Sequence, residues 1–195
     1  MKIKPVILEG GFVRLEPLQL KHLDALYEAG AGETIWHWTV NIVKSREDML
    51  RYIETALGEA ARKVSVPFVT IDKSADKIVG STRFGNIDAR NRRAEIGWTW
   101  INPQWQRTAI NTEAKFLMLR HAFETWNCIR VELKTDVLNE KSRRAILRIG
   151  AKEEGVLRRH LITDAGCFRD TVYFSIIDSE WQTVKANLTD KLRSF

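Results

Sequence analysis

The 195-residue sequence predicts a mixed α/β domain, and three observations carry that expectation. Apolar residues recur with a period near two over three consecutive stretches between Val64 and Ile101. After Pro103 the period changes to that of a helix, and a new strand pattern follows from Ile129 to Thr135. The full order reads β-α-α-β-β-β-α-β-α-β-β-α. Length fits about one domain, and no repeat, low-complexity stretch or linker divides residues 1–195.

Each element has a local reason. Phe12-Val13-Arg14-Leu15-Glu16 alternates apolar and polar residues and stops at Pro17, as a half-buried strand does. Leu20, Leu23, Leu26 and Tyr27 follow at helical spacing up to Gly30 and Gly32. Ser45 and Asp48 form a capping-box pattern ahead of a second helix with Met49, Tyr52, Ile53, Ala56 and Leu57 on one face. Between these helices lies the connector Ile35-Trp36-His37-Trp38-Thr39. Strands over Val64 to Ile71, Ile78 to Ile87 and Ala94 to Ile101 are separated by two short polar loops, the arrangement of an antiparallel meander. The long helix after Pro103 carries Phe116, Leu119, Ala122, Phe123 and Trp126 as one stripe. Asn139 is placed to cap a helix over Glu140 to Ile149 that stops at Gly150. Strands over Lys152 to Leu161 and Arg169 to Ile177 flank a turn at Asp164-Ala165-Gly166. Ser179 with Gln182 reads as another capping box before a last helix bearing Trp181, Val184, Leu188 and Leu192. His22 and His121 fall on polar helix faces.

Lys plus Arg exceed Asp plus Glu by 31 to 25, and much of the excess lies in the second half, as at Arg107, Arg130 and Arg158. Such a surface prefers an anionic partner, either nucleic acid or a phosphorylated small molecule. No stretch approaches the roughly 18 apolar residues of a membrane helix. The start lacks an apolar signal-peptide core, so the cytoplasm is the expected location. Cys128 and Cys167 stand apart and outside any metal-ligand spacing, so two reduced, half-buried thiols and no metal are expected. The strand-helix-strand unit through Pro103 and Trp126 is the expected ligand site, because the crossover helix offers unpaired N–H groups to phosphate.

The turn into that helix reads Asn102-Pro103-Gln104-Trp105-Gln106-Arg107-Thr108-Ala109-Ile110-Asn111-Thr112-Glu113-Ala114-Lys115. A strand, a Pro, an aromatic and then Q/R-x-x-G-x-G/A opening a long helix with Thr-Glu-Ala resembles the acetyl-CoA-binding motif of the GNAT N-acetyltransferases. The similarity is greatest to the ribosomal-protein-alanine N-acetyltransferase branch of that family. Ala94-Glu95-Ile96-Gly97 before Trp98, Asn139-x-x-Ser142, and Ile149-Gly150-Ala151-Lys152-x-Glu154-Gly155 extend the resemblance from Arg14 to Trp181. Ala109 departs from the usual Gly, and Asn111 from Gly or Ala. Glycine supplies positive φ and close backbone approach, so Ala109 demands a slightly different turn, while Asn111 is the non-glycine type best suited to the left-handed region.

The resemblance implies a GNAT-like sheet, mostly antiparallel, with one splayed pair of neighbouring strands, and residues 1–195 as a single acyl-CoA N-acyltransferase domain. It implies acetyl-CoA as co-substrate and direct attack on its thioester by a primary amine, of a protein N-terminus or a small molecule. The backbone edge Trp98, Thr99, Trp100 and Ile101 would meet the pantetheine arm. The amides of Gln106, Arg107, Thr108, Ala109, Ile110, Asn111 and Thr112 would meet the pyrophosphate. Asn139, Ser142, Arg143 and Arg144 would complete the cofactor contacts, with the basic residues and Lys141 near the 3′-phosphate. The alternative for Gln106 and Arg107 is a solvated loop, and for Asn139 a helix cap alone.

An ammonium must lose a proton and a thiolate gain one. Glu95 is the candidate base, or else a structural carboxylate paired with Arg83 or Arg93. Many members of the family supply a Tyr general acid about four residues beyond the motif Ser; here Arg144-Ala145-Ile146-Leu147 holds none. Ser142 is then the candidate donor, or else water serves and catalysis rests on positioning. Trp36, His37 and Trp38 lie in the connector that covers the acceptor cleft in this family, with core packing as the alternative for the tryptophans; His37 and His160 read as substrate contacts, as alternative bases or as structural. Two rival functions remain: a catalytically weak acyl-CoA-binding regulatory protein, and a basic ribosome- or RNA-binding module. The expected partner is the amine acceptor, with no membrane or direct nucleic-acid contact and a homodimer left open.

Overall fold

Val13 and Leu15 are fully buried while Arg14 and Glu16 are partly exposed, and this alternation forms β2, Val13–Pro17. A two-residue strand outside it, β1 (Leu8–Glu9), is absent from the sequence reading. A computed structural model describes residues 1–195 except the side chain of Glu33. Helices α1 (Leu23–Ala29), α2 (Glu33–Trp36) and α3 (Arg46–Ala61) follow. The capping box closes as expected: Ser45 Oγ accepts from the Asp48 amide at 3.1 Å and Asp48 Oδ2 from the Ser45 amide at 2.8 Å. Next come β3 (Val66–Asp72), β4 (Lys77–Asp88) and β5 (Arg93–Ile101), the antiparallel meander. Helix α4 (Ala109–Arg120), prolonged by a π-helical turn, leads to β6 (Arg130–Asp136). The chain ends with α5 (Glu140–Arg148), β7 (Lys152–Ile162), β8 (Phe168–Ile177) and α6 (Trp181–Arg193).

One eight-stranded sheet results, ordered β1-β2-β3-β4-β5-β6-β8-β7. All its neighbours pair antiparallel except β5 and β6. Apolar side chains cover both faces. Phe84, Ile96, Met118, Leu133 and Phe174 pack between the sheet and α4, while Leu26, Met49, Ile53 and Trp100 pack under α1 and α3.

Two features of β5 place the site. Its parallel pairing with β6 covers only Arg93↔Arg130, Ala94↔Val131 and Glu95↔Glu132, although β5 runs on to Ile101 and β6 to Asp136. The strands therefore diverge beyond Glu95, the splay that the family resemblance implies. The second feature is a bulge. Ser81 faces Trp100 but Arg83 faces Gly97, so β5 inserts an extra residue, and Trp98 takes a left-handed φ of 50°. An extra residue inverts which face each side chain takes. Ala94 and Ile96 point toward α4 before the bulge, whereas Ile101 does so after it and Trp100 turns toward α3.

Three local expectations fail. Ser179 and Gln182 form no capping box; Asp178–Glu180 is a 3-10 turn in which Glu180 Oε2 accepts from the Ile177 amide at 3.1 Å. His22 is buried, with Nδ1 accepting from the Gln19 amide at 3.2 Å, and His121 packs edge-on against Trp126 at 4.9 Å between centroids. Both histidines sit in or beside non-α turns, which rotate side chains off the 3.6-residue stripe. The thiols are both free, but Cys128 is buried and Cys167 exposed, so neither is half-buried. Among the described residues no helix is long and apolar enough to cross a membrane.

Candidate active site

A cleft of about 1190 Å³ opens where β5 and β6 diverge, bounded by α3, the first turns of α4 and α5, and the β7–β8 hairpin. Its floor is the bulge. The Trp98 indole lies so close over β4 that a Cβ on Gly85 would come within 2.2 Å of it. The fully buried Arg83 guanidinium sits between the rings of Trp98 and Tyr52, 4.9 and 5.0 Å from their centroids, and pairs with Glu59 at 3.1 Å. A desolvated cation between two rings is worth on the order of 1–2 kcal/mol and holds the left-handed Trp98 in place. Nothing in the sequence pattern marks Arg83 for this role.

Glu95 is 2% exposed. Its Oε2 accepts from Asn86 Nδ2 at 2.7 Å and pairs with Lys134 Nζ at 2.9 Å. Oε1 accepts no hydrogen bond among the described residues, and only a glycine at 97 leaves it room, since a Cβ there would lie 2.7 Å away. The expected structural partners are both engaged elsewhere: Arg83 with Glu59, and Arg93 with Asp88 and Glu132. The partner is Lys134, which the short parallel register brings alongside and which no local spacing reveals.

At the helix end of the cleft, Gln106 Nε2 donates to the Ile101 carbonyl at 2.8 Å while its Oε1 accepts from Lys141. Thr108 caps α4, accepting from the Ile110 amide at 3.4 Å. The left-handed residue of this turn is Arg107, with φ 65°, and Ala109 and Asn111 are already helical. The turn is thus completed two residues before Ala109, which is why a Cβ is tolerated there. Ala109, Ile110 and Thr112 bury their side chains away from the cleft, and Asn111 lines it.

Asn139 caps α5, its Oδ1 accepting from the Ser142 amide at 3.0 Å. Lys141, Ser142, Arg144, Ala145 and Arg148 face the cleft. Arg143 does not: it donates to the Val137 carbonyl at 3.2 Å and to Glu153 at 3.1 Å. Helical rotation puts residues three, four and seven apart on one stripe and sends Arg143 around the back, off the lining of the cleft. Arg148, four residues beyond Arg144, was recoverable from the same spacing; it also donates to Thr112 Oγ1 at 3.1 Å.

Among the connector residues, Trp36 is buried, donates from Nε1 to the Gly30 carbonyl at 2.9 Å and packs against Trp100 while lining the cleft. Trp38 is partly exposed at the mouth. His37 is exposed, stands edge-on to Trp38 at 4.6 Å, and does not line the cleft, because its place in the turn points it outward. On the opposite wall His160 packs against Tyr173 at 5.5 Å; burial and then the Lys134 and Arg169 cations hold its pKa below the usual histidine value. Among the described residues no group of three His, Cys, Asp or Glu side chains is placed to hold a metal.

One further residue escaped the sequence reading. Lys115, on the second turn of α4, is 6% exposed and lines the cleft. Its Nζ donates to Thr82 Oγ1 at 3.1 Å and to Thr99 Oγ1 at 2.5 Å, with no carboxylate partner among the described residues. Burial alone pulls its pKa down to about 7. The wall of the cleft therefore presents an amine whose charged form is disfavoured by desolvation.

The Acetyltransferase (GNAT) domain profile matches residues 13–152. YdaF of Bacillus subtilis strain 168, provisionally named a ribosomal N-acetyltransferase, is 38% identical over 108 residues, which span 55% of this chain and 58% of YdaF. The crystal structure of a GCN5-related N-acetyltransferase from Brucella melitensis superposes with a TM-score of 0.90 at 32% identity, over 97% of this chain and 86% of that one. Mycobacterium smegmatis RimJ, solved in complex with CoA-disulfide, shares the fold with a TM-score of 0.78 at 23% identity, over 96% and 92% of the two chains. With the splayed β5–β6 pair, the bulge and the capped α4 turn in place, the chain belongs to the GNAT family of acetyltransferases, which are acyltransferase enzymes.

Proposed function

We propose that residues 1–195 form one acyl-CoA N-acyltransferase domain that transfers the acetyl group of acetyl-CoA to a primary amine. The observation that carries this reading is the divergence of β5 from β6 beyond Glu95, beside two helix N-termini rimmed with cations. The residues present fit that co-substrate. Beyond Glu95 the β6-facing edge of β5 has no strand partner, so its Trp98 to Ile101 backbone is open to the amides of a pantetheine arm. The α4 and α5 N-termini, with Arg107, Lys141, Arg144 and Arg148, favour bound phosphates.

In this reading Glu95 takes the proton of the incoming ammonium at Oε1, while Asn86 and Lys134 fix Oε2. The freed nitrogen lone pair attacks the thioester carbonyl, the carbonyl re-forms as the C–S bond breaks, and the second proton shed by the nitrogen passes through the Ser142 hydroxyl at the α5 N-terminus to the departing sulfur, so that Ser142 gives one proton and takes one. Trp38 and Trp36 flank the acceptor mouth, and proximity contributes the rest. A protein N-terminal amine is the favoured acceptor, because relatives such as YdaF carry ribosomal N-acetyltransferase names.

The test is thiol release from acetyl-CoA with a panel of amine acceptors, compared between wild type and Glu95→Gln. Loss of a general base should slow turnover at pH 7 by about a hundredfold while calorimetric affinity for acetyl-CoA holds. A rate within about threefold and an unmoved pH profile would make Glu95 structural. Absence of thiol release with every amine overturns the transferase reading.

A further inference from the structure

The far wall of the cleft holds a cation with nothing to bind. Arg169, on β8, is 7% exposed and lines the cleft, yet its guanidinium makes no ion pair or side-chain hydrogen bond among the described residues, and its Nε is a buried donor without a partner. Every carboxylate lining the cleft is already engaged. Asp48 accepts from Ser45, Glu59 pairs with Arg83, Glu95 with Lys134, and Asp164 accepts from the Ile42 amide. Asp136, on the neighbouring β6, accepts from the Leu138 amide.

Arg169 is not alone. Arg83 Nε, Trp100 Nε1, Asn111 Oδ1 and His160 Nδ1 are also buried and unpartnered, and all four residues line this cleft. Unpaired buried polar atoms are rare in folded proteins, and their concentration on one cavity marks it as built around a polar ligand. Asn111 belongs to the phosphate end; Arg169 and His160 do not. On β8, Val172, Phe174 and Ile176 face the α4-side core, so Arg169 and Tyr173 take the opposite face, which is that of Glu95 and Lys134. The guanidinium is therefore on the acceptor side of the sheet.

We infer that the acceptor carries a carboxylate, seated on the Arg169 guanidinium beside His160, two or three residues along an extended peptide from the reacting amine. The inference rests on the acetyl-transfer reading and names its substrate class. Its spacing comes from the strand: Tyr173 pairs with Lys134, which holds Glu95, and four residues of β8 separate Tyr173 from Arg169, about 13 Å at 3.3 Å per residue. An extended peptide covers that distance, less the reach of the arginine, in two to three residues. A free amino acid, whose carboxylate is two bonds from its amine, does not.

The test measures binding to the CoA-saturated protein by calorimetry. The probes are Ser-Asp-Ala-Ala against Ser-Asn-Ala-Ala, Ser-Ala-Asp-Ala against Ser-Ala-Asn-Ala, and serine against serinamide. At least one Asp peptide should bind about tenfold or more tighter than its Asn partner, as a shielded charge-assisted contact allows, and Arg169→Gln should equalise them. Equal affinities within both peptide pairs, or no binding of any peptide, overturns the inference. So does a preference that Arg169→Gln leaves intact, or one shown only by serine over serinamide. If Arg169→Gln fails to fold, the wild-type peptide ratios decide alone. Thiol release measured with the same peptides keeps the two readings apart: release without acid preference sinks the carboxylate subsite and leaves acetyl transfer standing, whereas acid-selective binding without release does the reverse.

Discussion

Replacing Lys115 by Met should stabilise the protein at neutral pH, by an amount that fades as pH rises. The Lys115 pKa falls from 10.5 to about 7 in the fold, and at about 1.4 kcal/mol per unit the buried ammonium costs about 5 kcal/mol. The unfolded chain then binds more protons than the folded one between about pH 7 and 10.5, so this group raises stability with pH across that window. Its cost is full below about pH 7 and gone above about 10.5. Methionine matches the length without the charge, and the threonines it abandons still bond each other, Oγ1 to Oγ1 at 2.8 Å. Two hydrogen bonds of about 1 kcal/mol each are lost. The net gain for Lys115→Met is therefore about 2–3 kcal/mol at pH 7, falling to about zero near pH 9. Urea unfolding of both proteins at half-unit intervals from pH 6.5 to 10 isolates the difference, since every other titrating group is shared. A difference that does not change with pH, or a variant less stable throughout, would refute the desolvated amine. A neutral amine retained at such a cost, on the wall of a cleft, is what a trade of stability against function produces.

The helix-face argument separates two neighbouring arginines. Arg144→Ala should lower the ratio of CoA to dephospho-CoA affinity about three- to fivefold, the most an exposed pair supplies, while Arg143→Ala leaves that ratio unchanged in the same calorimetric titrations. Gly85→Ala should push the Trp98 indole out of its place, because the new methyl would lie 2.2 Å from it. A fall in acetyl-CoA affinity with a drop in melting temperature is expected, and crystallographic retention of the left-handed Trp98 in that variant would count against the bulge being held by packing.

Most of the fold was legible because its elements obey local rules. Ser45 with Asp48, Asn139 and the period change after Pro103 each act within a few residues, and each is where the sequence places it. The site was legible only in part, because its decisive partners come from distant strands. Lys134 meets Glu95 through the register of a three-residue parallel ladder. Lys115 sits on a helix buried on nearly every side, where one charged residue gives no periodic warning of its burial. Arg143 is close to the cleft residues in sequence, but rotation about α5 turns it to Glu153. The bulge left no trace: Ala94, Ile96, Trp98 and Trp100 keep an unbroken even alternation in the sequence, although the fold sends Trp100 to the α3 face and Ile101 to the α4 face.

The bulge makes β5 intolerant of changes in length. Deleting one residue between Gly97 and Trp100 would restore simple alternation, leaving Ile101 opposite Gly80 in the α4-side core but removing the bulge and with it the left-handed Trp98 at the floor of the cleft. Substitutions that keep the residue count preserve which molecule each face meets. A single-residue deletion there would cost the cleft its floor, so drift in this segment is confined to side-chain identity, whereas the exposed polar loop Lys73-Ser74-Ala75-Asp76-Lys77 can absorb gaps.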